Sequence, residues 1–263
     1  MKRDLSAEDN VRNFYEGKGW DADADGLTSD AQLWEDLRPC ARDYVAACRL
    51  KLLEFLPASG ERLLDAASGP IQYPEYLEYS RGFKKRICVD LSQKALDQAK
   101  AKLGARGEYV QASILELPFP DAHFDATVSL HTIYHIARDQ QEAAVRQLIR
   151  VTKPGHPIIV VYSNPDRLLA VLKRKLTGGA GQASEPLYFH AHPLDWWSRF
   201  GDECQVSIHP WRALTAQDSK RLIPNNFFGR FAFRSVLGLE KRFPGIVTRL
   251  GAYPVIVLTR TSS

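Results

Sequence analysis

The sequence is short of several things, and each shortage excludes a class of protein. Its 263 residues include four cysteines, Cys40, Cys48, Cys88 and Cys204, and no two stand in a CxxC spacing. That excludes a zinc knuckle or a dithiol redox pair and fits idle thiols in a reducing cytoplasm. No apolar run approaches the roughly 20 residues a bilayer-spanning helix needs; runs such as Ile158–Tyr162 and Val255–Leu258 fall far short. Met1–Asn10 has no hydrophobic stretch of the kind a secretory signal carries, so a cytoplasmic setting is expected. An excess of one charge is also missing. The 35 basic and 31 acidic residues leave +4, too scattered to recruit nucleic acid.

What is present is ordinary globular material, 44% hydrophobic and 10% aromatic, enough for one large core. The first forty residues are polar with scattered aromatics, among them Phe14, Tyr15 and Trp20. The acidic run Asp21–Gly26 lacks the glutamate that a calcium loop needs. A helix is expected from Pro39 to Pro57, where Val45, Cys48, Leu52 and Phe55 repeat at three to four. From there strands and helices alternate. Arg62–Asp65 and Arg86–Asp90 each read as a strand ending on a carboxylate, and a tyrosine-rich helical stretch to about Ser80 lies between them. Tyr109–Ala112, Phe124–Leu130 and Ile158–Tyr162 read as further strands. Ser92 suits a helix cap before Leu96, Ala99 and Leu103. Asp139 and Glu142 resemble a capping box. Continuous apolar strands separated by helices predict a parallel sheet covered on both faces.

The last hundred residues are less regular. Arg167–Leu176 reads as a basic helix with a solvated face, a membrane surface or an anionic substrate being the alternatives. It leads into Gly178–Gly181. Pro193–Phe200 reads as a helix, and Gln205–His209 and Val255–Thr259 as strands. Some forty residues between those two strands are far too many for a hairpin and predict helices with a task of their own.

In open parallel sheets, ligands sit beyond the carboxyl ends of the strands. Asp65 and Asp90 stand at two such ends, and an acid about twenty residues beyond the first turn suits a ribose diol. The intervening turn has one glycine, Gly69, and neither a dinucleotide fingerprint nor a P-loop. This pattern predicts a nucleoside cofactor without a pyrophosphate. S-adenosylmethionine fits, because its cationic sulfonium and zwitterionic end suit an acidic turn.

Four segments then occur in order: Leu63-Leu-Asp-Ala-Ala-Ser-Gly-Pro-Ile71, Val89-Asp-Leu-Ser92, Leu117-Pro-Phe-Pro-Asp-Ala-His-Phe-Asp125 and Thr152-Lys-Pro-Gly-His156. Across about residues 60–163 the chain resembles the class I S-adenosylmethionine-dependent methyltransferases, in particular their small-molecule, type 11-like group. The resemblance implies a doubly wound, Rossmann-like α/β fold. Its sheet would have seven mostly parallel strands with an antiparallel last strand, and helical insertions would form a lid. It implies one methyltransferase domain over 1–263, comprising a helical lid at 1–57, a cofactor core at 58–163 and substrate-side segments at 164–263 with an insertion at 211–251. Asp65 would meet the methionine amino group. Ala67, Ser68 and Gly69 would lie along the methionine and ribose. Asp90 would hold the ribose hydroxyls and Leu91 would pack on adenine. Ser113 and the Ile114 backbone would read the adenine edge, with Leu130 and His131 near the sulfonium. Ala67 and Ile71 replace two glycines of the family pattern, and alanine resists positive φ. Ile71 adds bulk where the helix meets the ligand, and Ser113 stands where the family often has aspartate.

His131, Tyr134 and His135 are the candidate catalytic residues. Both histidines share a face if Leu130–Ile136 forms a helical turn. Thr132 follows His131 where a zinc-protease motif needs glutamate, so no metal is expected. A hydroxyl acceptor must lose its proton, a task that suits histidine. His190, His192 and the aromatics at Leu187–His190, Trp196, Trp197 and Phe227–Phe233 are candidates for the acceptor wall. A small molecule is the expected partner, with neither nucleic acid nor an integral membrane. Ser68 lacks the G-x-S-x-G setting of a hydrolase, and a nicotinamide oxidoreductase lacks its glycines. The remaining alternative is a non-catalytic S-adenosylmethionine-binding or assembly protein.

Overall fold

Seven strands lie side by side in the order β3-β2-β1-β4-β5-β7-β6. They are β1 (Gly60–Ala66), β2 (Phe83–Asp90), β3 (Gly107–Gln111), β4 (Ala126–Leu130), β5 (Pro157–Val161), β6 (Cys204–Arg212) and β7 (Tyr253–Arg260). The first five are parallel, and β7 runs antiparallel to both β5 and β6. The expected mostly parallel sheet with a reversed last strand is therefore the observed one. The computed structural model describes residues 6–21, 23, 28–177 and 187–261; Gly178–Gly181 lies outside them.

Strand alternation splits the core in two. Leu64, Ile87, Ile158 and Val160 face α6 (Gln141–Val151) and the short helical turn Leu194–Phe200. Leu63, Val128 and Ile159 face α3 (Arg42–Leu50) and α9 (Phe227–Arg242). Cys88 on that second face meets Leu96, Ala99 and Leu103 of α5 (Gln93–Leu103), which Ser92 caps through the Ala95 amide. Both faces are covered, as near-continuous apolar strands require.

Several local expectations are corrected. Pro39 lies in a turn ahead of α3, which passes into a 3-10 turn at Lys51–Glu54. The tyrosine-rich stretch forms only one helical turn, α4 (Glu75–Glu78). Asp139 caps nothing: α6 starts after Gln140, which makes no side-chain cap. The Gln141 amide instead donates to the Ile136 and His190 carbonyls, so tertiary contacts set that end. β6 runs to Arg212, overlapping the expected start of the insertion. The insertion itself holds α8 (Ala216–Leu222), α9 and α10 (Pro244–Leu250).

The Leu117–Asp125 motif ends on a structural carboxylate. Asp125 accepts the Glu61 and Arg62 amides at 2.9 and 2.8 Å and the Lys153 ammonium at 2.5 Å. Burial pushes its pKa up, but those donors prevail and hold it below the usual carboxylate range. Asp125→Ala strands two β1 donors and is expected to cost about 1–3 kcal/mol. Urea unfolding measures this, and Asp125→Asn should recover part of the loss.

Candidate active site

The loop after β1 bends three times through the left-handed region, at Ala67 (φ 57°), Gly69 (φ 56°) and Ile71 (φ 52°). Alanine and isoleucine thus adopt a backbone that glycine normally supplies, at roughly 1–2 kcal/mol each. Ala67 therefore takes up the positive φ that alanine adopts only at a cost. The loop is pinned from outside: Ser68 N–H donates to the Val89 carbonyl, and Lys102 Nζ donates to the carbonyls of Pro70 and Ile71. Ile71 crowds no ligand space, because its side chain is buried against Leu96 and Ala99.

Asp90 ends β2 directly beside this loop. One carboxylate oxygen accepts Gly69 N–H at 2.8 Å and the other accepts Ser92 N–H at 2.9 Å. Burial raises its pKa to about 6 against the pull of those two amides. No cation pairs with it among the described residues. An uncharged diol can therefore use its remaining lone pairs.

Asp65 behaves differently and faces a cation of the core. It is 2% exposed, and its Oδ2 accepts both Nε and Nη2 of Arg86 at 3.0 and 2.5 Å. In the β1–β2 register Arg86 lies on the same sheet face, and a buried guanidinium needs a counter-ion. The second acid is consumed by the core.

Ser113 donates to Glu8 at 2.6 Å, Leu91 lies half-buried, and Ile114 packs into the core. Leu130 packs at the tip of β4. Over this end of the sheet runs α1 (Ala7–Phe14) and a π-helical turn, Tyr15–Gly19. Glu16 accepts Gln93 N–H at 2.6 Å, and Lys94 pairs with Asp21. Trp20 stacks on Tyr15 at 4.5 Å, and its ring lies 3.2 Å from where a Cβ on Gly69 would stand. The Trp20 indole nitrogen is buried without a partner. An adenosine-bearing donor thus fits the Asp90 tip and the side-chain-free surface of Gly69, provided that Trp20 draws back.

His131 also has positive φ (59°), placing it outside the 3-10 turn Ile133–His135; the expected shared helical face with His135 is not formed. Its Nδ1 is 2.9 Å from Tyr134 Oη, and its ring meets Trp211 and Tyr253 edge-on at 4.8 and 5.2 Å. His135 Nδ1 pairs with the Tyr188 carbonyl at 2.7 Å. Burial, with Arg212 nearby, lowers His131 to about 3, and burial lowers His135 to about 4. Both rings are neutral at pH 7, and neither Nε2 has a partner among the described residues.

Of the segments expected to form the acceptor wall, Leu187–His190 lies beside Tyr134 and His135, with Phe189 meeting their rings at 4.9 and 6.0 Å, while others lie elsewhere. His192 stacks on Trp196, and Trp197 is fully buried on the opposite sheet face. His190 lies beside His192. Phe227, Phe228 and Phe231 point to solvent, while Phe233 stacks on Tyr44. The wall near His131 contains residues that the sequence did not single out. Asp30, on α2 (Ser29–Trp34), accepts from Tyr15 Oη at 3.2 Å; burial raises its pKa to about 6 against bonds from Tyr15 and Gln72. Glu35 is gripped bidentately by Arg212 at 2.8 and 3.0 Å and by Arg49 at 2.7 Å. Arg49 lies over Tyr73 at 3.3 Å. No spacing rule joins residues 177 positions apart; the only local signal was the charge beside Trp34 and Trp211.

Residues 64–160 match the methyltransferase domain family. Over 113 residues the chain is 31% identical to the ubiquinone/menaquinone biosynthesis C-methyltransferase UbiE of Shewanella woodyi. That stretch is 40% of this chain and 44% of the relative, so the chain spans less than half the length of the curated relatives it matches. In fold it is similar to the N-methyltransferase NodS of Bradyrhizobium japonicum WM9, solved with S-adenosyl-L-homocysteine, with a TM-score of 0.57, 13% identity and coverage of 97% of this chain and 100% of that one. It is also similar to a geranyl diphosphate methyltransferase solved with GPP and sinefungin, with a TM-score of 0.55, 15% identity and coverage of 82% and 78%.

Glu35→Ala leaves two buried guanidiniums without their shared partner and is expected to cost about 3–5 kcal/mol in denaturant unfolding. Burial favours protonation of Glu35, but Arg212 and Arg49 prevail and hold it at about 2, below its ordinary 4.5. Its contribution is therefore full above pH 4.5 and disappears as pH falls toward 2. Ala67→Gly relieves the left-handed strain and should stabilise the protein by about 1 kcal/mol.

Proposed function

We propose that this chain, whose residues 64–160 match the methyltransferase domain family, works as a class I S-adenosylmethionine-dependent methyltransferase, moving a methyl group from that donor to a small organic acceptor. The observation that carries the reading is the buried Asp90 carboxylate at the tip of β2, fixed by two amides and facing no cation. Asp90 would hold the ribose hydroxyls. Ala67, Ser68 and Gly69 would offer a low surface to the donor's chain, and Leu91, Ser113 and the Ile114 backbone would border the adenine. When bound, the donor supplies an electrophilic methyl carbon on a cationic sulfur.

The chain's own contribution is placement and proton handling. The Tyr134, Trp211 and Tyr253 rings around His131 favour an acceptor with a planar, apolar body. Holding acceptor and donor in line supplies most of the rate advantage. His131, neutral and oriented through Tyr134, has a free Nε2 to receive the proton that the acceptor gives up. Asp30, which accepts from Tyr15 Oη, is a second candidate proton acceptor, with a pKa raised to about 6. His135, tied to the Tyr188 carbonyl, would position Tyr134 and the turn. The likeness to UbiE supports carbon as the methylated atom, with nitrogen and oxygen as the other choices.

A second reading is favoured by one feature, the altered turn after β1 in which Ala67 and Ile71 stand at positive φ in place of glycines. It describes a chain that binds the donor or its product without turnover. Methyl transfer to extracted metabolite pools with labelled donor separates the two.

Two measurements test the cofactor role. Calorimetric titration should show S-adenosylhomocysteine binding at least about tenfold more weakly to Asp90→Ala, a loss of about 1.4 kcal/mol; an unchanged Kd refutes the assignment. Affinity should also decline as pH drops below about 6, where Asp90 takes up a proton and loses acceptor capacity. Asp90→Asn should bind weakly without that pH dependence. His131→Ala should reduce kcat by about a hundredfold while sparing donor Kd.

A further inference from the structure

The insertion between β6 and β7 carries an unusual surface. From Ser219 to Gly251 the sequence holds seven basic residues and one acid, Glu240. That acid is buried and paired with Lys51 at 2.6 Å. The seven cations are exposed and make no ion pair among the described residues. On the same stretch Phe227, Phe228 and Phe231 are 77%, 73% and 66% exposed. The inner face of α9 is set by Gly229, Phe233 and Glu240. At 100° per residue the three phenylalanines then lie on the outer face, with Arg230, Arg234 and Lys241 in a row along one flank.

A second exposed helix carries a similar pattern. On α7 (Leu168–Thr177), Leu168, Leu172 and Leu176 form an exposed stripe at four-residue spacing, next to exposed Arg174 and Lys175. This region is tied to the insertion. Arg167 pairs with Asp218 at 3.7 Å, and Asn164 donates to the carbonyls of Arg249 and Gly251 at 2.9 and 3.0 Å.

We infer that this face docks the chain onto an anionic lipid bilayer, with the α9 phenylalanines entering the interfacial layer and the flanking arginines meeting lipid phosphates. An apolar patch of this size on a folded surface calls for a partner. A second copy of the same face would set seven cations against seven and repel itself. An anionic bilayer offers both counterparts at once, negative charge at the surface and an apolar layer immediately beneath it. The contact is peripheral, since no helix among the described residues is long and apolar enough to cross a membrane. The inference concerns where the chain sits and stands whether or not it transfers methyl groups.

The test is co-sedimentation of the full chain with extruded vesicles of phosphatidylcholine alone or mixed with phosphatidylglycerol. Binding to mixed vesicles should exceed binding to phosphatidylcholine by at least about tenfold and weaken in high salt, since each basic residue near the surface is worth roughly a fivefold gain. F227S/F228S/F231S and R230E/R234E should each reduce binding about tenfold or more, with unchanged Tm because these side chains are exposed. No binding to either vesicle overturns the proposal, as does binding that neither variant alters. Sedimentation velocity supplies the other arm. A dimer that F227S/F228S/F231S abolishes, in a chain that ignores vesicles, assigns the face to a second copy and overturns the bilayer.

Discussion

Three parts of the chain that lie far apart in sequence are locked together by one buried carboxylate. Glu35 follows α2, Arg49 lies on α3 and Arg212 ends β6; both guanidiniums share the Glu35 oxygens. Removing charge from water is costly, and this geometry offsets the cost by giving each oxygen a donor in line. The outcome is positional. The segment that covers the strand tips and the strand that opens onto the insertion are held in fixed relation, and the aromatic layer around His131 is assembled between them. Glu240 does a similar task on the other side of α3, joining Lys51 and Tyr44 to α9.

Much of the sheet was legible in the sequence because each strand announces itself locally. Apolar runs, carboxylate ends and the turn at Pro154–Gly155 are short-range signals. The reversed last strand was implied by the family resemblance alone, since the length of the insertion does not fix a strand's direction. Helix ends were less legible: Asp139 has the right chemistry for a cap, but Gln141 reaches the Ile136 and His190 carbonyls and sets the boundary instead. The loop after β1 is a sharper case. Its backbone follows a glycine pattern with alanine and isoleucine in two of the places, because Lys102, Val89 and Asp90 anchor it from outside. Anchors on other strands cannot be read from the loop itself.

The candidate site divides in the same way. Asp90 was readable, since strand end and spacing are both local. Asp65 looked equivalent, and only the β1–β2 register reveals that Arg86 claims it. His131 and His135 could be singled out as candidates, but their surroundings could not be read: burial lowers both and keeps the rings neutral. Asp30 and the Glu35 cluster depend on contacts across the fold and left no pattern in the sequence.

The Trp20 ring resting on Gly69 has a kinetic consequence. Any molecule arriving at the strand tip, or departing from it, must first part an aromatic pair from a backbone surface. Under the proposed function, exchange of spent for fresh donor would wait on Tyr15 and Trp20 peeling away and settling again, against ring stacking and the Glu16 and Asp21 tethers to α5.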